Sequence, residues 1–253
     1  MRALHVAIQF LTRIPVPAVR DWRDDELARA LPAFPLVGAA VGLLLAGAYA
    51  ALLAAGLGSL PAAIVATAFL GPYLTGALHE DGLGDTADGL FGGRDRETAL
   101  RIFRDSRVGA YAVVTMGAAL LLRAALVAEL SPTAALATLP LAHALGRAAT
   151  VAQMVRLPYA RTEGAGVGGA MVAGVRRHHI ILTLLVTAAL WAGAVSLLDV
   201  PGPARAVLAA VACTVILTRW YRRRIGGITG DTLGATCVLV ELLVLGIAPL
   251  THS

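Results

Sequence analysis

Long apolar stretches separated by short polar segments dominate the chain. The stretches span residues 34–56, 62–78, 108–128, 134–154, 180–198, 203–218 and 233–250, and 203–218 is the shortest. A helix needs about 20 mainly apolar residues to cross the hydrocarbon core of a bilayer. The pattern therefore predicts an all-α polytopic membrane bundle of about seven transmembrane helices, forming a single transmembrane domain over residues 1–253.

Composition and the placement of arginine indicate how the chain is oriented in the membrane. Hydrophobic residues make up 58% of the chain, and all 21 basic residues are arginines. With the N-terminus inside, 18 of these 21 fall in the inner segments, 1–33, 79–107, 155–179 and 219–232. By the positive-inside rule this predicts an N-in, C-out topology with the loops 79–107, 155–179 and 219–232 at the cytoplasmic face. The sequence has no basic stripe with interleaved aromatic residues, so it does not indicate a nucleic-acid partner.

The most unusual polar segment is HEDGLGDTADGLFGG at residues 79–93. Anions this close repel one another, and a hard divalent cation with oxygen ligands would relieve the repulsion. Protein-bound Mg²⁺ of this kind commonly handles phosphate groups. The aspartates stand at i, i+4 and i+7, which a helical backbone would place on one face. The predicted metal ligands are Glu80, Asp81, Asp85 and Asp88. The alternative is a solvated turn-rich loop between two helices.

The next segment, residues 94–111, carries five arginines and one further candidate acid. Arg94, Arg101, Arg104 and Arg107 could reach phosphate oxygens, which arginine binds well. The residues of this segment predicted to bind substrate are Arg94, Arg104, Ser106 and Arg107. Asp105 is a candidate metal ligand or base. The alternative is an amphipathic surface helix with ion pairs such as Glu97–Arg101 and Arg101–Asp105.

A related triplet occurs near the end of the chain. Gly230-Asp231-Thr232 repeats the Gly84-Asp85-Thr86 triplet of the acid segment. Three shared residues are weak evidence for a duplication. As an acid beside glycine at the inner end of a predicted span, Asp231 is nevertheless a candidate substrate-binding residue.

Ionisable residues inside the spans are costly in hydrocarbon and are candidates for function. They include His143, Arg147, Glu241 and Arg123. Arg147 either pairs with Glu241 in the bundle interior or reaches the substrate. Arg123 is predicted to extend its charged end to the membrane interface.

Five motifs together resemble one enzyme family, that of adenosylcobinamide-GDP ribazoletransferase, the cobalamin (5′-phosphate) synthase. They are FLTRIPVP (10–17), HEDGLGDTADGLFGG (79–93), RDSRVGAY (104–111), GR (146–147) and GDTLGAT (230–236). The family often has Lys where Arg104 stands and Leu where Glu80 stands, which puts Glu80 in doubt as an essential ligand.

The resemblance implies a late step of vitamin B12 assembly at the bacterial cytoplasmic (inner) membrane. The enzyme would join adenosylcobinamide-GDP to α-ribazole or its 5′-phosphate and release GMP, with the active site facing the cytoplasm. Mg²⁺ held by the aspartates would bridge the diphosphate, and Asp88 or Asp105 would accept the hydroxyl proton. The sequence leaves the acceptor, the base and the number of assembled chains open, a homo-oligomer included.

Two other classes of membrane protein are alternatives to this family. A CDP-alcohol phosphotransferase motif begins as Asp85-Thr86-Ala87-Asp88-Gly89 does, but Gly92-Gly93 stands where that motif has Ala-Arg. A transporter would be expected to carry more charge at mid-membrane and two related halves. Both therefore rank below the ribazoletransferase hypothesis.

Overall fold

The computed structural model describes residues 1–19, 25–161, 166–198 and 203–247. Outside these ranges lie Glu163, which the predicted topology puts on the side of the acid segment, two inner arginines (Arg20 and Arg23) and the end of the last predicted span, residues 248–250. Within the described residues the fold is helical, and an isolated bridge between Tyr159 and Ile228 is the one β-type pairing.

The helices of the described chain follow one another with short connections. They are α1 (Arg2–Leu11), α2 (Glu26–Ala30), α3 (Phe34–Ala54), α4 (Ser59–Ala63), α5 (Leu70–Thr75), α6 (Leu78–Ala87), α7 (Arg96–Ile102), α8 (Ala110–Ala128), α9 (Pro132–Arg156), α10 (Gly166–Gly174), α11 (Arg177–Leu198), α12 (Pro203–Ile225) and α13 (Gly230–Ile247). A 3₁₀ turn covers Leu31–Ala33, and π-helical segments cover Ile64–Phe69 and Asp88–Gly92.

Several helices are long and apolar enough to cross a membrane, which identifies a membrane protein. Among the described residues there are four such helices, or up to six if each of two bent helix pairs is one span. The bent pairs are Ser59–Thr75 with Leu78–Gly92, and Gly168–Gly174 with Arg177–Gly193. The count of seven spans and the orientation of the termini stay predictions.

The longest helix, α9, lies at the centre of the bundle and packs on α3, α11, α12 and α13. Its contact with α3 is close because Gly38 and Gly42 present no side chain. A Cβ on Gly42 would lie 2.6 Å from the Leu139 carbonyl carbon, and one on Gly38 would lie 2.6 Å from Arg147 Cδ. Small residues four apart are a common means of close helix packing in membranes.

A sharp corner precedes the acid segment. Gly76 and Ala77 both have left-handed backbone angles (φ 65° and 55°), and the helices on either side meet at 93°. The Arg13 N–H donates to the Leu74 carbonyl at 2.7 Å, so the N-terminal segment is tied to this corner. The corner ends the apolar helix and turns α6 in a new direction, which places the acidic residues at an end of the bundle.

Candidate active site

The acid segment is helical throughout. Residues Leu78–Ala87 form α6, and the helix continues through one π-helical segment over Asp88–Gly92. Asp81 is exposed, and Asp85 and Asp88 are half-buried. The helical backbone gives the three aspartates the common face that their spacing indicates.

Two glycines let α6 and α13 touch backbone to backbone. A Cβ on Gly82 would lie 2.8 Å from the Asp231 carbonyl oxygen and 3.1 Å from Gly234 Cα. The two Gly-Asp-Thr triplets therefore lie on helices in direct contact. The charge of Asp85 interacts with those of Asp81, Asp88 and Asp231. The structure thus adds Asp231 to the three aspartates, as a fourth carboxylate.

Arg161 is a member of the site that sequence reasoning missed. Its Nη2 donates to Asp231 Oδ2 at 2.7 Å and to the Phe103 carbonyl at 2.9 Å. Asp231 also accepts a 3.1 Å hydrogen bond from the Thr229 hydroxyl. Its one signal in the sequence is that it is a basic residue in the inner segment 155–179. Its partners are far away in the chain, so local patterns could not identify them.

Asp88 has a specific structural partner, the beginning of α8. Its Oδ2 accepts from the Gly109 N–H at 2.7 Å and its Oδ1 from the Ala112 N–H at 3.0 Å. These amides lie at the N-terminus of a helix, where they have no partner within the helix. A Cβ at position 109 would lie 2.5 Å from Asp88 Oδ1, so glycine is needed there. Asp88 therefore caps α8 from another helix.

The arginine-rich segment forms α7 followed by a loop, residues 103–109, which is exposed over 104–108. Arg94, Arg104, Asp105, Ser106 and Arg107 are all exposed. Arg107 Nη2 donates to Asp105 Oδ2 at 2.6 Å and Arg107 Nε to Asp105 Oδ1 at 3.0 Å. Asp105 thus pairs with Arg107 and does not form the suggested i,i+4 pair with Arg101. Hydrogen bonds from Arg107 lower the pKa of Asp105 to about 2, which makes it a weak proton acceptor.

The loop borders the aspartates at both ends. Phe103 accepts from Arg161 at one end, and Gly109 donates to Asp88 at the other. A surface cavity of about 580 Å³ lies beside it, lined by Arg101, Ile102, Arg104, Asp105 and Arg107. The two predicted groups, acids and arginines, therefore occupy neighbouring parts of one surface.

The four carboxylates suit a hard cation by chemistry, since oxygen atoms are the ligands that Mg²⁺ prefers. Their mutual repulsion, which the Arg161 guanidinium partly offsets, would be relieved by a divalent charge. In the described part of the chain, however, no three His, Cys, Asp or Glu side chains form a compact metal-binding group. The magnesium site stays a prediction.

Glu80 lies apart from this carboxylate face, which corrects its grouping with the metal ligands. On a helix it is rotated about 100° from Asp81, and its side chain turns into the bundle. Its Oε1 accepts from Arg123 Nη1 at 2.7 Å, and both side chains are buried. Arg123 also donates to Glu241 Oε2 at 3.2 Å. The prediction that Arg123 extends to the membrane interface is therefore wrong, because its charge is paired inside.

Arg147 belongs to the same buried network. Its Nη1 donates to Glu241 Oε1 and, at 2.9 Å, contacts His143 Nδ1. His143 Nδ1 is also 3.0 Å from Glu241 Oε1. Arg147 is 1% exposed, so the structure favours pairing with Glu241 over the substrate contact. Two arginines and two glutamates give the network no net formal charge.

Two further arginines join the inner segments to one another. Arg224 Nη2 donates to the carbonyls of Leu90 and Gly93 at 2.7 and 3.0 Å, which caps the π-helical segment. Arg96 Nε donates to the Ile225 carbonyl at 2.8 Å and its Nη2 to the Ala160 carbonyl at 3.3 Å. The parts of 79–107, 155–179 and 219–232 that carry these residues therefore form one connected surface.

The chain is similar to a set of curated enzymes over nearly its whole length. A family model described as cobalamin-5-phosphate synthase matches residues 3–248. An adenosylcobinamide-GDP ribazoletransferase from Sinorhizobium sp is 44% identical over 97% of this chain and 95% of its own. Enzymes of the same name are 40% identical in Ralstonia nicotianae (96% and 93% covered) and 38% in Rhizobium etli (94% and 93%). No solved structure matches the chain significantly.

These matches agree with the resemblance drawn from the acid, arginine and Gly-Asp-Thr motifs, and with neither alternative class. The matched range, 3–248, contains every residue of the carboxylate face and of the arginine loop. The chain belongs to the cobalamin-5-phosphate synthase family and is a transferase of cobalamin biosynthesis.

Proposed function

We propose that this enzyme joins adenosylcobinamide-GDP to α-ribazole or its 5′-phosphate, with release of GMP. The names of the relatives support the substrates, and the carboxylate face beside an arginine-rich loop supports the chemistry. A ribose hydroxyl would attack the phosphorus that carries the cobinamide. The bond between the two phosphates would break, and the phosphate that carries guanosine would leave as GMP. The observation that carries the proposal is the contact between the Asp85 and Asp231 helices at the edge of the arginine loop.

The exposed arginines would hold the diphosphate of the donor. Arg94, Arg104 and Arg107 all reach solvent, and a guanidinium can bind two phosphate oxygens at once. Arg107 already makes such a two-point contact with the Asp105 carboxylate. A phosphate would compete with that carboxylate for the same two N–H groups.

Asp81 and Asp85 would hold Mg²⁺, and Asp231 faces them from α13. Asp88 would contribute the carboxylate lone pairs that α8 does not use. When bound, the metal would neutralise charge on the diphosphate and on the departing GMP. Asp88 keeps acceptor capacity for this, because a carboxylate has about four lone-pair sites and uses two on α8. Arg161 would fix the Asp231 carboxylate in position.

Both candidate bases have other roles in this arrangement. Asp88 holds α8, and Asp105 is a weak proton acceptor because of Arg107. Phosphoryl transfer depends mainly on positioning and charge neutralisation. We therefore propose that these residues act chiefly by orienting the two substrates, with proton transfer contributing less.

The proposed setting is the bacterial inner membrane, with the carboxylate face towards the cytoplasm. Eighteen of the 21 arginines lie in the segments that would then be inside. Nucleotide substrates of the cytoplasm would reach the site from that face.

The direct test is GMP release by detergent-purified enzyme supplied with adenosylcobinamide-GDP, Mg²⁺ and either α-ribazole or its 5′-phosphate. We expect GMP and the joined product in equal amounts, and comparison of the two acceptors identifies the preferred one. Glu129→Gln, a change at an exposed acid at the end of α8, is a matched control and should behave as wild type. Absence of GMP with both acceptors would contradict the proposal.

A further inference from the structure

Four aromatic side chains form a continuous array beside the carboxylate face. The Phe91 ring centroid lies 5.8 Å from that of Tyr111 and 5.9 Å from that of Trp220. Trp220 in turn lies 5.6 Å from Tyr221. These separations fall within the usual range for interacting aromatic rings. The rings come from the π-helical segment, the beginning of α8 and the end of α12.

The array is anchored at one end and open at the other. Tyr221 is fully buried, at 0% exposure, and its hydroxyl lies 3.5 Å from the Thr236 hydroxyl oxygen. Phe91 and Tyr111 are 59% and 52% exposed. The exposed rings form an apolar platform, in which the Phe91 ring is tilted by 45° to that of Tyr111 and by 40° to that of Trp220.

The platform adjoins the reacting groups of the proposed reaction. Phe91 lies in the same π-helical segment as Asp88, and Tyr111 precedes Ala112, whose N–H donates to Asp88. Exposed arginines flank it, because Arg94 follows Phe91 by three residues and Arg219 precedes Trp220. An apolar surface of aromatic rings next to carboxylates and arginines suits a nucleoside, whose base would stack on one ring while its ribose reaches the acids.

We propose that Phe91, Tyr111 and Trp220 form the subsite for the benzimidazole base of the α-ribazole acceptor, an inference that rests on the proposed function. Stacking on aromatic side chains requires only a flat π-face. A benzimidazole is largely apolar, whereas the edge of guanine carries donors and acceptors that require partners when buried. The platform therefore suits the acceptor base better than the guanine of the donor.

Kinetics with both substrates test this assignment. Loss of one stacking contact typically costs about 1–3 kcal/mol, so Phe91→Ala should raise KM for α-ribazole roughly 5- to 150-fold. KM for adenosylcobinamide-GDP should stay near wild type, and Phe91→Tyr should restore the acceptor KM. Phe69→Ala, which removes a ring of 74% exposure outside the array, is the control. A change confined to the donor KM, or no change in either, would overturn the subsite.

A binding measurement tests the platform without catalysis and with the rings intact. The chain has three tryptophans, so Trp22→Phe with Trp191→Phe leaves Trp220 as the single tryptophan. Saturable quenching by α-ribazole, abolished by Phe91→Ala, is expected. Quenching by GMP alone would assign the platform to the donor and overturn the proposal. Absence of any response, with membrane stability alone sensitive to Phe91, would make the array an interfacial anchor and also overturn it.

The two experiments separate this inference from the proposed function. Quenching by α-ribazole in an enzyme that releases no GMP would support the subsite and contradict the reaction. If the Phe91→Ala variant releases GMP and keeps the wild-type KM for α-ribazole, the reaction is supported and the subsite is contradicted.

Discussion

Arg123 Nη1 donates to Glu80 Oε1 at 2.7 Å, inside the bundle and one residue before the first aspartate of the carboxylate face. Arg123 belongs to α8, and its other contact, Glu241, belongs to α13. Through Glu241 the network reaches Arg147 of α9. Four helices are thus held by buried charges, and the rotation of α6 about its axis is set by Glu80. The direction of the neighbouring aspartates depends on that rotation.

The first prediction concerns the balance of charge in this network. Removing one partner of a buried ion pair typically costs about 3–5 kcal/mol because the other charge is left uncompensated. We expect Arg147→Ala and Glu241→Ala each to lower the free energy of unfolding by such an amount. The double variant should lose less free energy of unfolding than the two single variants lose together. In the double variant the remaining charges, Arg123 and Glu80, still balance each other.

Thermal unfolding in detergent of the two single variants and the double variant measures this coupling. Arg205→Ala, at an exposed position near the beginning of α12, is the control and should melt like wild type. Strictly additive losses would contradict the network as described. If Arg147→Ala is as stable as wild type but inactive, Arg147 binds substrate, as the alternative prediction states.

The second prediction concerns the cap that Asp88 provides to α8. Asparagine keeps one acceptor oxygen and loses the other, and replacing a good N-cap residue costs about 0.5–2 kcal/mol. Asp88→Asn should therefore lower thermal stability as well as turnover. Gly109→Ala should do the same, because its Cβ would displace the Asp88 carboxylate.

Asp81→Asn is the matched comparison for this cap, since Asp81 is exposed. It should reduce turnover and leave the melting temperature unchanged. If Asp88→Asn also melts like wild type, the capping role is wrong, and Asp88 would act on the reaction alone.

Most helices could be predicted because their signal is local. The apolar stretch 34–56 corresponds to α3, which ends at Ala54, and the stretch 108–128 to α8, which begins at Ala110. The stretch predicted as 203–218 belongs to a helix that continues to Ile225. Hydropathy ended it early because four arginines follow, although charged side chains do not end a helix.

The partners of the site residues could not be predicted in the same way. Glu80 and Arg123 are 43 positions apart, and Arg161 and Asp231 are 70 apart. The i, i+4, i+7 spacing of the aspartates leaves Glu80 off their common face. Its partner Arg123 could not be identified from the local pattern, because helix packing alone brings the two residues together. The acid and arginine motifs were recognised, but the division between surface and buried acids required the structure.

The third prediction concerns the metal. If Asp81 and Asp85 hold Mg²⁺, Asp81→Asn and Asp85→Asn should each reduce turnover by several orders of magnitude in protein that still folds. EDTA should abolish GMP release by the wild type, and added Mg²⁺ should restore it. Isothermal titration with Mg²⁺ in the absence of substrate should show weaker binding for both variants. Full activity in excess EDTA would reject the metal-dependent reaction.

The fourth prediction concerns topology and follows from the placement of arginine. A reporter fused after Ser253 should be active outside the cytoplasm, whereas one inserted near Arg94 should report the cytoplasm. The described helices allow four to six spans by length and composition, so the test is informative for the count as well. A cytoplasmic C-terminus would indicate an even number of spans if the N-terminus is inside.

The last prediction concerns Asp105 and Arg107, and it separates a phosphate clamp from a base. A general base typically contributes about 10²–10⁴-fold to the rate, so losing one would be severe. Because Arg107 lowers the pKa of Asp105 to about 2, the carboxylate stays ionised, and the pair is lost only as pH falls through that value. Asp105→Asn should therefore reduce turnover by less than a lost base would, and the pH–rate profile near neutrality should keep its shape.

Arg107 itself should matter more than its partner. Lysine keeps the charge but loses the two-point geometry of the guanidinium, so Arg107→Lys should raise KM for adenosylcobinamide-GDP and lower kcat. Arg107→Ala should be worse, and Arg205→Ala should be neutral in the same assay. A pH profile that loses a titration step in Asp105→Asn, together with a normal donor KM in Arg107→Lys, would reverse the assignment. Asp105 would then be the base, and Arg107 would only hold it.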